Sequence, residues 1–164
     1  MAQERSDVNE QPRLRQQTTE AVLTSSRALL GVVARSVSPA LEFVTLPHFR
    51  VLVVLTSTGP LRMGSLAERL GANSSTFSRS IDRMVVGGWV ERSPSPDSRR
   101  EVLISATEAG RALVDEVTER RRRAISEILS RMTPENQRAV VSALEVFSAA
   151  ASEPAVEDLL TLGL

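Results

Sequence analysis

Between Leu61 and Thr107 two short helical patterns meet at Gly71, and a second stop, Gly87-Gly88, is followed by an arginine-tipped hairpin pattern. That succession constrains the fold more than any other part of the chain. Met63, Leu66, Ala67 and Leu70 recur at i, i+3, i+4 and i+7, the apolar stripe of one short helix, which Gly71 stops. Asn73 can cap the next helix, because its side-chain oxygen can accept from the free N–H groups of a first turn. Phe77, Ile81, Met84 and Val85 form a second stripe, with Ser75, Ser78, Arg79 and Asp82 on the other side. One helix holds and the other displays.

Trp89-Val90-Glu91-Arg92 reads as a strand, Ser93 to Arg100 as a polar loop, and Val102-Leu103-Ile104 as the returning strand. Pro94 and Pro96 stiffen the near arm, and Arg99-Arg100 fall close to the point of return. A hairpin beside a helix-turn-helix is a wing. Its tip can reach phosphates or a narrow minor groove, where concentrated negative potential favours Arg. In a helix-turn-helix the second helix enters the major groove with its N-terminal residues toward base edges, which calls for short donors and Arg. Ser74, Ser75, Thr76, Ser78 and Arg79 meet that requirement, so the expected partner is double-stranded DNA.

The runs Leu66-Ala67-Glu68-Arg69-Leu70-Gly71, Ser75-Thr76-Phe77-Ser78-Arg79 with Ile81-Asp82-Arg83, and Gly88-Trp89-Val90-Glu91-Arg92 are followed by Asp97-Ser98-Arg99-Arg100 and Thr107-Glu108-Ala109-Gly110. Together they resemble the MarR family of bacterial transcription regulators. The Asp-x-Arg-Arg wing running directly into a Thr-x-x-Gly helix start is the most specific piece. The resemblance implies a homodimeric winged-helix protein on a pseudo-palindromic operator, most often a repressor, often released by a small phenolic or lipophilic ligand. It also implies a ligand cavity where the long dimerisation helices meet the DNA module, which makes His48 and Arg50, with Phe49 and Trp89 beside them, the candidate effector contacts.

The 164 residues suit one domain or one protomer of an obligate dimer. Twenty basic residues balance twenty acidic ones, so total charge carries no nucleic-acid signature. The segment 60–105 holds seven Arg against five Asp or Glu, a small local excess. Every Lys-or-Arg position is Arg, from a G+C-rich coding bias or from selection for bidentate guanidinium contacts. The absence of Cys excludes disulfides, thiol redox sensing and Cys-ligated metals, and one His is too few for a His-rich metal site. No nucleophile set, Gly-rich phosphate loop or spaced metal ligands point to an enzyme or a cofactor. No apolar run of about 18 residues and no leader pattern is seen, so no membrane partner and a cytoplasmic location are expected.

The flanks are expected to be helical. Residues 1–12 are polar and read as irregular chain. From Leu14 a helix is expected, with Val22, Leu29, Val33 and Val37 on one face and Leu23 and Leu30 beside it, ended by Pro39. Leu46-Pro47 opens a helix that Phe49, Val51, Leu52, Val54 and Leu55 make apolar on more than one side. Arg62 stands where the MarR-like pattern has a Ser or Thr cap, so the following helix start should be weakly anchored. Thr107 can cap a helix to about Arg131 with Leu113, Val117, Ala124 and Ile128 as its seam. Arg120 to Arg123 interrupt that seam, and one of them is expected to reach the dimer mate or the effector cavity. Thr133-Pro134 starts a last helix whose apolar face is Val140, Val141, Leu144, Phe147 and Ala151, and the apolar tail from Val156 is expected to dock on the partner.

The fold class expected is therefore mainly α, a winged helix-turn-helix over 46–107 with a small β-hairpin wing, flanked by helical dimerisation segments at 13–45 and 108–164. Ser75, Thr76, Ser78 and Arg79 are assigned to the groove floor or nearby phosphates, with Ser74 at the helix start, and Arg83 to the backbone or the wing. Arg99 and Arg100 are assigned to the wing tip, with Asp97 orienting a wing Arg. Two other readings stay open, a protein-interaction winged helix and a DNA-binding regulator without a ligand.

Overall fold

The computed structural model describes residues 2–72, 74–96 and 98–151, of which 2–10, 74, 75 and 98–100 are described as backbone only. The two glycine stops behave as the pattern requires. Helix α3 (Met63–Arg69) closes with Gly71 N–H on Glu68 O at 3.0 Å and Ala72 N–H on Ala67 O at 2.9 Å, Gly71 holding a φ of +60°. Helix α4 (Ser74–Val86) closes the same way around Gly88, at φ +74°, with Trp89 N–H on Met84 O at 2.9 Å. Both ends are Schellman closures, which need a residue free to adopt positive φ.

Before them come helix α1 (Ala2–Val37), a 3-10 turn (Ser38–Glu42) and helix α2 (Leu46–Thr58). Strand β1 (Leu61–Arg62) precedes α3, strands β2 (Val90–Ser95) and β3 (Ser98–Ala106) form the hairpin, and helices α5 (Glu108–Leu129) and α6 (Pro134–Ala151) follow. The sheet is antiparallel in the order β1-β3-β2, with Leu61 opposite Ile104 and Val90 opposite Ala106.

One core holds the module together. Leu52 of α2, Leu66 of α3, Ile81 and Met84 of α4, Ile104 of β3 and Val117 of α5 are all fully buried in it. Each such side chain contributes about 1.5–3 kcal/mol by leaving water. Thr107 joins α5 to this core at its first turn. Its Oγ1 accepts from Gly110 N–H at 3.1 Å and lies 2.7 Å from Gly88 O, to which the hydroxyl can donate.

Three expectations change. Helix α1 begins at Ala2, where irregular chain was expected over 1–12; the segment is rich in Gln, Glu and Arg, which favour helix, and Pro12 costs it one backbone bond without ending it. Among the described side chains of α1, Val32 and Ser36 are buried within the protomer, whereas Leu29, Val33, Leu23 and Leu30 are exposed. The hairpin arms extend into the expected loop, Pro94 pairing with Val102. An edge strand tolerates a residue without an N–H to donate. Leu61-Arg62, read as a lead into α3, is the third strand. Asn73, Asp97 and the tail from residue 152 lie outside the described residues.

Candidate nucleic-acid interface

The rotation of α4 about its axis is set by its apolar stripe. Phe77, Ile81 and Met84 are buried, and at about 100° per residue the opposite side of the helix passes through Arg79. Thr76 and Arg83, both exposed, share that outer side with Arg79 at i−3 and i+4. Ser78 is half-buried on the flank nearer the wing, with the exposed Asp82 one turn on. Ser74 and Ser75 form the first turn of α4. The structure thus brings Thr76, Arg79 and Arg83 onto one outward surface and sets Ser78 apart from them.

Polar bonds fasten both flanks of this helix. On one side Arg92 of β2 donates to Asp82 Oδ1 at 2.5 Å, an ion pair open to solvent that ties α4 to the wing. On the other side His48 of α2 lies with Nε2 2.8 Å from the Ser80 hydroxyl. Burial holds the His48 imidazole below its ordinary pKa, and the positive charge of Arg83 pushes it in the same direction. Sequence reasoning singled out His48 but missed its partner Ser80 and the Asp82–Arg92 pair, since neither pairing leaves a mark in the spacing of one segment.

The wing extends from this base. Val102 keeps the inward register of Ile104 and Ala106 yet is 47% exposed, because the hairpin overhangs the core at this point. Arg99 and Arg100 lie on β3 beside the turn, where the sequence placed them. At the root of the overhang Arg62 of β1 pairs with Glu101 of β3 at 2.7 Å. Arg62 precedes α3 without making a side-chain cap bond.

An outward basic helix side is thus tied to an arginine-bearing hairpin. The profile of the MarR family matches residues 44–102, which contain α2 to β3 almost entirely. The HTH-type transcriptional regulator PecS of Dickeya dadantii is 31% identical over 135 residues, 82% of this chain and 80% of its own length. The chain belongs to the MarR family. The HTH-type regulator YfiV of Bacillus subtilis is 30% identical over 107 residues, covering 65% of this chain and 67% of that protein. Among solved structures, that of RV1404 from Mycobacterium tuberculosis is 41% identical with a TM-score of 0.74, covering 82% of this chain and 92% of that one. This MarR-family chain is a transcriptional regulator with a DNA-binding winged helix, and it is not an enzyme.

Two further groups were singled out by the sequence. His48 is half-buried and directed at Ser80, and Arg50 is half-buried two residues along α2. A shallow groove lies on α6, lined by Pro134, Gln137, Val141 and Glu145, an element that carries neither of them. In the arginine run, Arg120 pairs with Glu116 and Arg122 with Glu119, while Arg120 Nη1 and Arg121 Nε are buried with no acceptor among the described residues. Among those residues no group of His, Asp and Glu is placed to hold a metal, and no single helix is long and apolar enough to cross a membrane.

Proposed function

We propose that this MarR-family regulator acts as a homodimer on a palindromic operator, most simply as a repressor, and that a small anionic or aliphatic molecule releases it. The observation that carries the DNA reading is Arg79 on the outermost line of α4, flanked by Thr76 and Arg83, with the helix fastened to the wing by Asp82 and Arg92. A helix presented in this way can enter a major groove while Arg99 and Arg100 reach the adjacent backbone or minor groove.

Pairing of protomers is supported by what the single chain leaves open. Helix α6 buries none of its residues, and Val141, Leu144 and Phe147 are each more than half exposed. Leu14 and Leu30 of α1 are likewise more than half exposed. The two acceptorless guanidinium nitrogens of Arg120 and Arg121 favour an acceptor from outside the protomer, since an unsatisfied buried donor costs about 1–3 kcal/mol. A carboxylate of the partner or of the effector would meet that need. The low aromatic content, 3% with no Tyr, leaves little for stacking a phenol and favours a carboxylate held by Arg or an aliphatic compound.

The test is a titration of the protein against the DNA upstream of its own coding region and a scrambled duplex, at two salt concentrations. Binding that salt weakens, that prefers the native sequence and that saturates at two protomers per site is the expected result. Equal weak binding to both duplexes would reject autoregulation. No binding even at low salt would reject the DNA reading in favour of a protein-interaction winged helix.

A further inference from the structure

Helix α4 is gripped from two sides, and the two grips differ in chemistry. The Asp82–Arg92 pair is ionic and more than a third exposed on both members, so its contribution to position is modest. The His48–Ser80 bond is neutral, half-buried and 2.8 Å long, and it joins the first turn of α2 to the middle of α4, 32 residues away in the chain. Helix α2 is itself packed into the core through Phe49, Leu52, Val54 and Leu55. Ser80 is the next residue after Arg79, and Arg83 follows one turn later on the same flank.

We propose that His48 is a positioning residue for DNA recognition, whose uncharged imidazole, anchored on α2, holds α4 through Ser80 so that Arg79 and Arg83 face the groove. The inference rests on the reading of α4 as the recognition helix. The chemistry of the bond gives it a direction. In the neutral ring Nε2 either accepts from the Ser80 hydroxyl or donates to it; in the protonated ring both nitrogens only donate, and Ser80 must turn its own proton away. Protonation also sets a second cation beside Arg83. The acidic groups on the elements packed against α2 are Glu42 of the 3-10 turn, Glu101 of β3 and Glu108, Asp115, Glu116, Glu119 and Glu127 of α5, with Asp82 on α4 itself; Glu101, Glu116, Glu119, Glu127 and Asp82 are already paired with Arg62, Arg120, Arg122, Arg131 and Arg92. A charged ring can still donate to Ser80, so acid loosens this side of the grip through the repulsion between His48 and Arg83. That is the reverse of the usual trend, in which added positive charge tightens DNA binding.

The chain has a single His, so its ring proton resonances report this site without ambiguity. Titrated by NMR in the free protein, the ring should ionise lower than an exposed imidazole, and Arg83→Gln should move it upward; no upward movement in Arg83→Gln would remove the repulsion on which the acid effect rests. That arm does not depend on DNA. The second arm uses a duplex selected by the protein from a random-sequence pool, with affinity measured from pH 7.5 to 5.5. Wild type should lose about 3- to 10-fold relative to His48→Gln, which retains a polar group able to reach Ser80 but cannot ionise, the size expected when one proton biases a binding equilibrium. Ser80→Ala should weaken binding to the selected duplex at pH 7.5 and leave a random duplex unaffected, and Ser80→Thr should restore it. Parallel pH profiles for wild type and His48→Gln, or acid tightening carried by His48, would overturn the proposal. If the pool yields no preferred duplex while the free-protein titration behaves as stated, the recognition-helix reading has failed and not the side link.

Discussion

In the proposed complex Arg79 and Arg99 would serve the same polyanion in different ways. Arg79 is fixed on the outer line of a helix whose rotation the buried Phe77, Ile81 and Met84 determine, so in the proposed complex its guanidinium would meet the same base edge each time. Arg99 lies beside the hairpin turn, where the duplex presents phosphates or a narrow groove whatever the sequence. Arg79→Ala should therefore cost about 1–3 kcal/mol on the preferred duplex and relax one base position, whereas Arg99→Ala should weaken preferred and random duplexes alike and lower the salt slope. Comparison of the two variants on both duplexes at two salt concentrations decides; equal and negligible losses would break the assignment. Of this surface, Thr76, Arg79 and Arg83 were legible in the sequence, because helical spacing fixes which residues lie opposite an apolar stripe. Ser80 and Arg92 were not legible as partners of His48 and Asp82, because contacts between elements depend on how helices and strands are set against each other.

At the scale of elements the module depends on how closely α5 approaches the base of the wing. Gly110 is buried in the first turn of α5, where a Cβ would overlap the Trp89 carbonyl oxygen and stand 2.9 Å from Leu52 Cδ2. The backbone oxygen cannot move without β2, and Leu52 has no room in the core. Gly110→Ala should accordingly destabilise the protein by about 1–3 kcal/mol, as overpacking does, although Ala is intrinsically the better helix former. A denaturant midpoint at or above that of wild type would show that α5 approaches less closely than this. The helices themselves were legible because each carries a stop or a start with a mechanism, such as Gly71, Gly88 and Thr107. Strand β1 was not, since two residues show no periodicity and Leu61-Arg62 is a strand only by pairing with Leu103 and Ile104. Which side of α1 packs on its own protomer was not legible for a related reason. Apolar residues occur around the whole helix near Leu29 to Val33, so spacing alone does not decide that Val32 faces its own protomer and Val33 faces away.

For the whole molecule, the lone protomer holds α6 by little beyond the hydrogen bond from Gln137 Nε2 to Leu129 O at its start. A helix of 18 residues with no buried side chain is marginal in water, and this one exposes Val141, Leu144, Val146 and Phe147 at 52–69%. A second copy that covers this face would supply the missing burial and also fix the separation of two recognition helices. Half-sites one helical turn apart, about 34–36 Å, are then read together, and each half-site raises the effective concentration of the other. Replacing Leu144 and Phe147 with Glu puts charge on the i and i+3 positions of the exposed stripe while leaving the core untouched. Leu144→Glu combined with Phe147→Glu should sediment as a monomer, lose helical circular dichroism corresponding to α6, and bind the full operator about 100-fold or more weakly, the lower end of what linking two sites contributes. Its affinity for an isolated half-site should match that of wild type, because α4 and the wing are unaltered. A double variant that still sediments as two protomers and retains full operator affinity would place the dimer contact elsewhere, and the exposed side of α6 would then need a different covering partner.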